Sequence, residues 1–331
     1  MVALDCVGKI TPTESTEVFA ACSVTTLDRT RRDIESQLLH HDPKSRGHSI
    51  WWTLGIDIPL FAIVAALVLL QEMGMFPQRK SGFFCNDPAL SYPYKGDTIS
   101  MGVIISTIVA CPLVVIFLTE LAFHGPGQSI RDRLCCSAVE TMLLFRGYAY
   151  GLFINLTIVE VMKAVTGFPR PTFFDICEPD AALTCNGSEF VSAFECTSQR
   201  FSAWYQMDSY HSFPSGHTSL SVYCGFFIAW YLQTRAFDWQ HRTVLLVPVL
   251  QLACVGYAAV CSLSRLTDHR HHWWDVLTGT AVGVLCLLYT VLALCDSFSP
   301  EKRSRTHATD ETNLPSTRTS IYEDRIQAPV T

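Results

Sequence analysis

The sequence predicts an all-α fold: one integral membrane bundle of six transmembrane helices. Three observations carry that prediction. The 331 residues have a positive mean hydropathy, and only 16% of them are charged. The apolar residues are clumped into six long runs, most of them close to the roughly 20 residues a helix needs to cross a bilayer. Charges are sparse inside those runs, and a helix satisfies its own backbone polar groups, which lipid does not.

Taken in order, residues 1–48 form a polar N-terminal tail with one weak helical patch, "IESQLLHH". The membrane domain occupies 49–295. Its runs are 50–70, 100–123, 142–165, 218–232, 244–263 and 276–294. The fourth is the shortest and should begin a turn earlier, near Ser215. Pro214 is expected in the first turn of that helix, where a missing N–H does no harm. Gly167 and Pro169 should end the third helix after Lys163. The longest connection is 167–213. Residues 296–331, rich in Ser, Thr and charge, form a C-terminal tail expected to be disordered. There is no internal repeat. A cleaved signal peptide is not expected, because the first apolar run starts near residue 50 behind a charged segment.

Sidedness follows from the basic residues rather than from the net charge of −6. Six Lys or Arg precede the first run, five follow the sixth, and Arg131, Arg133, Arg235 and Arg242 lie in loops on the same side. Eight lie on the other side. The positive-inside rule puts both termini in the cytoplasm. Of 14 cysteines, Cys85, Cys177, Cys185 and Cys196 fall in the two long loops assigned outside. An oxidising compartment allows them two bridges, and sequence does not choose among the three pairings. Asn186 opens an N-x-S glycosylation pattern in the same outer loop, whereas the pattern at Asn155 lies inside the third run. Cys135 and Cys136 are juxtamembrane on the cytoplasmic side, where palmitoylation occurs.

Three polar clusters sit at run ends: "KAVTGFPRP" (163–171), "SFPSGHTS" (212–219) and "SLSRLTDHRHHWWD" (262–275). The end of run 3, the start of run 4, the end of run 5 and the start of run 6 share one side of the membrane, whichever way the chain is inserted. The clusters can therefore converge. Lys163, Arg170 and Arg265 supply three cations, two of them planar forks that match phosphate oxygens. The backbone N–H groups of Ser215, Gly216 and His217 are expected to point out of a helix N-terminus, a ready anion site. His271 and Asp275, four apart, are expected on one helix face. An aspartate bonded to one ring nitrogen would leave the other free to attack. His217, from a different run, is placed to protonate a departing oxygen. Asp268 is expected to anchor Arg265 or the helix start. Glu160 is one turn before Lys163, and pairing and packing roles both remain open. His269 and His272 read as solvent- or headgroup-facing.

Bland readings exist for each cluster alone. Arginine at a span end is often a snorkelling anchor, and Trp273–Trp274 resemble an interface belt. "HRHH" with Asp268 and Asp275 could ligate a transition metal. That reading leaves Lys163, Arg170 and Arg265 without a purpose, so no metal and no cofactor are expected.

The three clusters together resemble the signature motifs of the type 2 phosphatidic acid phosphatase superfamily. They read Lys163…Arg170-Pro171, Pro214-Ser215-Gly216-His217 and Ser264-Arg265…His271…Asp275, complete and in order. The resemblance spans roughly residues 50–295, and the string "GFFCNDPALSYPYKGDTIS" looks like the animal lipid phosphate phosphatases. The resemblance implies that Lys163, Arg170 and Arg265 bind phosphate with help from Ser215 and Gly216. It implies His271 as nucleophile, Asp275 as its orienting partner and His217 as acid. The expected activity is metal-independent hydrolysis of lipid phosphate monoesters: phosphatidate, lysophosphatidate, sphingosine 1-phosphate and ceramide 1-phosphate. The site would lie at the non-cytoplasmic helix ends and face outside or a lumen, with the plasma membrane as location. The expected partners are bilayer lipids, with a homo-oligomer left open and no nucleic acid. Two rival readings are a silent lipid-binding or scaffold relative, and a transporter. A silent relative is disfavoured by the intact His217, His271 and Asp275. A transporter should carry its ionisable groups to the bilayer midplane, not crowd them at one face.

Overall fold

The computed structural model describes residues 55–56, 58–75, 79–123, 130–237 and 244–298. The N-terminal tail, nearly all of the C-terminal tail, and Arg242 lie outside the described residues. The chain divides into two compact units, Met1–Ala65 and Ala66–Thr331. In the first, the described part is Gly55, Ile56 and the opening of helix α1 (Ile58–Glu72), an apolar segment free of charge until its last residue.

The second unit holds the remaining elements: α2 (Met101–Phe123), α3 (Ile130–Thr166), α4 (Phe173–Cys177), α5 (Ala203–Asp208), α6 (Gly216–Arg235), α7 (Leu246–Thr267) and α8 (Trp273–Tyr289). A π-helical turn, Thr290–Leu294, continues α8. Among the described residues, four helices are long and apolar enough to cross a membrane: Met101–Phe123, Ile130–Thr166, Leu246–Thr267 and Trp273–Leu294.

Two helices differ from the sequence expectation. Helix α3 starts at Ile130, well before 142, and runs for 37 residues. At 1.5 Å per residue it is about 55 Å long, well beyond a hydrocarbon core of about 30 Å. Its first turns, "IRDRLCCSAVET", are too polar to read as membrane, yet nothing in them breaks a helix. Helix α6 looks short by hydropathy because it is surrounded by protein. It packs against α2, α3, α7 and α8, and most of its residues are buried. Its hydroxyls find partners there: Ser219 Oγ donates to Asn155 Oδ1 at 2.6 Å, and Tyr223 OH donates to the Tyr148 carbonyl at 2.7 Å. Around them pack Ile104, Ile116, Phe227, Tyr231 and Val291.

One end of the bundle is clamped by Glu120. Its buried carboxylate lies 2.7 Å from Arg235 Nη2 and accepts from Tyr231 OH at 2.9 Å. A carboxylate so buried stays charged only when paired in this way. At the other end, α8 docks on the start of α6. A Cβ on Gly279 would lie 2.5 Å from the Ser215 carbonyl oxygen, so only glycine admits this approach.

Beyond that end lies an outer layer built from the loops after α1 and α3. Strands β1 (Phe83–Phe84) and β2 (Phe190–Val191) pair antiparallel. Phe83, Leu90, Phe173, Cys177 and Phe194 form a small core beneath them. Disulfides join Cys85 to Cys185 and Cys177 to Cys196. Gly167 ends α3 at φ +56°, where a Cβ would strike the Arg79 carbonyl. Its own carbonyl accepts from Ser81 N at 3.1 Å, so the first loop is stitched to the end of α3.

Candidate active site

The three polar clusters meet at this end of the bundle. Lys163, in the last turn of α3, is buried and pairs with Glu160 at 2.7 Å. Its ammonium lies 3.7 Å from where a Cβ of Gly216 would sit, so it covers the start of α6. Arg170 is tied to the loop before α6: its backbone N donates to the Ser209 carbonyl, and its Nε to the Asp208 carbonyl, both at 2.8 Å. Arg265 is 1% exposed and bonds Asp97 Oδ1 and Asp268 Oδ2, each at 2.9 Å. Asp268 thus anchors Arg265, and it also accepts from the hydroxyl and N–H of Thr98 at 2.6 and 2.8 Å.

The start of α6 corrects two expectations. Ser215 is its N-cap, accepting on Oγ from Thr218 N, so Pro214 lies before the cap rather than in the first turn. The Ser215 N–H does not point out of the helix; it donates to the Asp275 carbonyl at 3.1 Å. That leaves the N–H groups of Gly216 and His217, which as first-turn donors have no carbonyl within the helix. His217 has a buried Nε2 without a hydrogen-bond partner among the described residues, within electrostatic reach of Arg265 and His271.

The expected relation of His271 to Asp275 also needs correction. Helix α8 begins at Trp273 with His272 as N-cap, so His271 precedes the helix and shares no helical face with Asp275. His271 Nδ1 lies 2.7 Å from the Ser212 carbonyl and 3.7 Å from Asp275 Oδ2. A carbonyl only accepts, so Nδ1 carries the proton and Nε2 carries the lone pair. Asp275, in the first turn of α8, instead accepts from Ser212 Oγ at 2.5 Å and from His272 N at 2.9 Å. Burial pushes the His271 imidazole down to about 4, with Arg170 and Arg270 adding to the shift and Asp275 opposing it. The ring is therefore neutral at pH 7.

His269 and His272 are not simply solvent-facing. His269 stacks on Tyr92 with ring centroids 4.0 Å apart, and His272 stacks on Trp274 at 4.6 Å. Asn186 is exposed, while Asn155 is buried in the bundle. Among the described residues, no group of three or more His, Cys, Asp or Glu side chains is placed to hold a metal ion.

Three charged residues at the site receive no role from the sequence pattern: Asp97, inside the string 82–100, Asp208, and Arg270, inside the third cluster. Asp208 bonds Arg170 Nη2 at 2.5 Å and Arg270 Nη2 at 2.7 Å. Burial pushes Asp208 up, but Arg170 and Arg270 outweigh it and bring it to about 2. Burial brings Arg170 down only to about 10. Both are charged at neutral pH. Asp208 lies 38 residues from Arg170, and Asp97 lies 168 from Arg265, so no spacing pattern reveals them.

A family model described as the PAP2 superfamily matches residues 145–297, which contain all three clusters. Phospholipid phosphatase 2 of Bos taurus is 31% identical over 266 residues, covering 80% of this chain and 89% of that protein. Phospholipid phosphatase 1 of Mus musculus is 28% identical over 246 residues, covering 73% and 83%. A putative phosphatidate phosphatase of Drosophila melanogaster is 28% identical, covering 74% and 69%. No solved structure matches. With a family model laid over all three clusters and phospholipid phosphatases matching along most of their own length, this chain belongs to the PAP2 superfamily, among the phospholipid phosphatases.

Proposed function

We propose that this protein is a membrane lipid phosphatase that hydrolyses lipid phosphate monoesters through a phosphohistidine on His271, without a metal. The observation that carries the reading is the Nδ1–H of His271 committed to the Ser212 carbonyl at 2.7 Å, on a ring that is neutral at pH 7. Nε2 is then the nucleophile. It attacks phosphorus, the bond from phosphorus to the lipid oxygen breaks, and His217 gives that oxygen a proton. Water then attacks phosphorus and gives its proton to His217, and the P–N bond breaks, releasing inorganic phosphate and free His271. Lys163, Arg170 and Arg265, with the N–H groups at the start of α6, bind the phosphoryl oxygens. Three cations suit a transition state whose charge is spread over three oxygens. Asp275 orients the site through Ser212 and the start of α8, and Asp268 supports Arg265.

The same reading makes 49–295 a six-span domain, with α1 and α6 as spans beside the four long apolar helices. Both tails are cytoplasmic. The site and the disulfide-linked outer layer face outside or a lumen, at the plasma membrane, with Asn186 glycosylated. Substrates are phosphatidate, lysophosphatidate, sphingosine 1-phosphate and ceramide 1-phosphate, all reached from the bilayer.

The test is phosphate release from those four lipids by purified full-length protein in mixed micelles, with excess chelator. Release should persist, and a radiolabelled headgroup should leave an acid-labile, alkali-stable phosphoenzyme. No release from any lipid would favour a silent relative. Loss with chelator that magnesium or zinc restores would overturn the phosphohistidine.

A further inference from the structure

We propose that Arg270 is a positioning residue: it fixes the two phosphate-binding arginines through a carboxylate shared with each. The inference rests on the phosphate roles of Arg170 and Arg265 given above. Asp208 stands between Arg170 and Arg270, with Oδ1 on the first at 2.5 Å and Oδ2 on the second at 2.7 Å. Asp97 stands between Arg265 and Arg270. Its Oδ1 is 2.9 Å from Arg265 Nη1 and 3.1 Å from Arg270 Nε, a hydrogen bond in the first case and an ion contact in the second. Arg265 continues to Asp268 at 2.9 Å. The result is one chain of alternating charge, Arg170–Asp208–Arg270–Asp97–Arg265–Asp268, running from the loop after α3 to the end of α7.

Arg270 is the middle of that chain and falls at a position the third motif leaves unspecified, between Arg265 and His271. It is 5% exposed, its guanidinium lies 5.0 Å from the Tyr94 ring centroid, and its Nη1 is buried with no hydrogen-bond partner among the described residues. Asp97 comes from the loop before α2 and Asp208 from the end of α5. Both lie in the outer layer, outside the long helices of the bundle. A carboxylate bound to a single arginine moves with that arginine. A carboxylate held from the far side by Arg270 does not. Both phosphate arginines are thus in place before substrate arrives, which is where positioning contributes to rate.

Charge points the same way. The chain holds three arginines and three aspartates. Each of Asp208 and Asp97 divides its charge between two guanidinium groups, so neither fully neutralises the arginine that meets phosphate. Without Arg270 the group carries a net negative charge beside a site for a dianion. Lysine keeps the charge but lacks the planar fork that reaches two carboxylates at once.

Orthovanadate, a mimic of the phosphoryl group in transfer, is the probe, used on full-length R270Q, R270K, D208N and R270Q/D208N protein. The R270Q inhibition constant should rise by about tenfold or more, the scale on which misplacement acts. R270K should fall between R270Q and the parent. The double variant should be no worse than the weaker single one, because residues acting as one unit are not additive. A merely structural role would lower thermal stability and leave vanadate affinity in the surviving protein unchanged. If R270Q does not fold, R270K carries the test alone, with weaker inhibition expected. Parental vanadate affinity in both R270Q and R270K, or strictly additive losses in the double variant, overturns the proposal. R170K and R265K separate the two levels. If they weaken vanadate while R270Q does not, the positioning role fails and the phosphate reading stands. If they too bind vanadate normally, the phosphate reading itself fails.

Discussion

The imidazole of His271 hangs on the main chain of Ser212: Nδ1 donates to the Ser212 carbonyl at 2.7 Å. The Ser212 hydroxyl donates to Asp275 at 2.5 Å, so one residue holds both partners. Replacing Ser212 by alanine keeps the carbonyl and removes only the hydroxyl. S212A should therefore still form phosphoenzyme. It should lose about 1.5–3 kcal/mol of stability, the usual worth of a hydrogen bond to a charged group. D275A, which strips a buried anion 3.7 Å from the ring, should slow phosphoenzyme formation by about 100-fold, the scale on which misplacing a reacting group acts. Single-turnover rates and thermal midpoints in detergent separate the two. An S212A protein as inert as H271A would contradict this division.

Acid stability should be governed in part by His211. It is 7% exposed, its Nε2 has no partner among the described residues, and burial, helped by Lys163, lowers it to about 4. Its folded-state pKa lies below the unfolded value of about 6.5, so between those values the unfolded chain binds more protons. Stability rises with pH across that window and is lost as pH falls through it. Asp208 titrates lower, near 2, and contributes little there. His271 shares the effect of His211. H211Q should thus flatten, without abolishing, the decline of the thermal midpoint between pH 6.5 and 4. An unchanged slope would mean that His211 is protonated in the fold.

Sidedness is testable at Asn186, which is exposed next to the bridged Cys185. Glycosidase should raise the mobility of protein from a eukaryotic membrane, and N186Q should abolish the shift. A tag on the C-terminus that antibody reaches in intact cells would reverse the proposed orientation.

The motif-bearing part of the site was legible because helix parity alone puts 163–171, 212–219 and 262–275 on one side. Residue types then named Lys163, Arg170, His217, Arg265 and His271. What was not legible depends on contacts without local pattern. Asp97 and Asp208 are single acids in polar loops, and only folding of the outer layer brings them to arginines. The shared helix face expected of His271 and Asp275 was read from i,i+4 spacing, and it fails because the chain turns at His272 before the helix begins, though the two side chains still come within 3.7 Å. Helix α6 read as short because hydropathy assumes lipid on its outside, and here other helices surround it. The early start of α3 was missed because polarity marks the edge of a membrane, not the end of a helix.

His271 and His217 should divide the labour between them. If His271 attacks phosphorus, H271A should remove phosphoenzyme and turnover for every substrate. His217 should matter according to the leaving group. A lipid alkoxide is a poor leaving group and needs a proton as the bond breaks, whereas an aryl phosphate leaves as a stable phenolate and needs far less help. H217A should therefore slow phosphoenzyme formation from phosphatidate much more than from nitrophenyl phosphate, with general acid catalysis worth about 100- to 10,000-fold for the first. Steady-state rates would blur this contrast, because on the proposed mechanism His217 also assists water in the second step. Single-turnover measurement of the first step avoids that. Equal slowing of both substrates would remove His217 as the leaving-group acid. An acid-labile phosphoenzyme in H271A would move the nucleophile elsewhere.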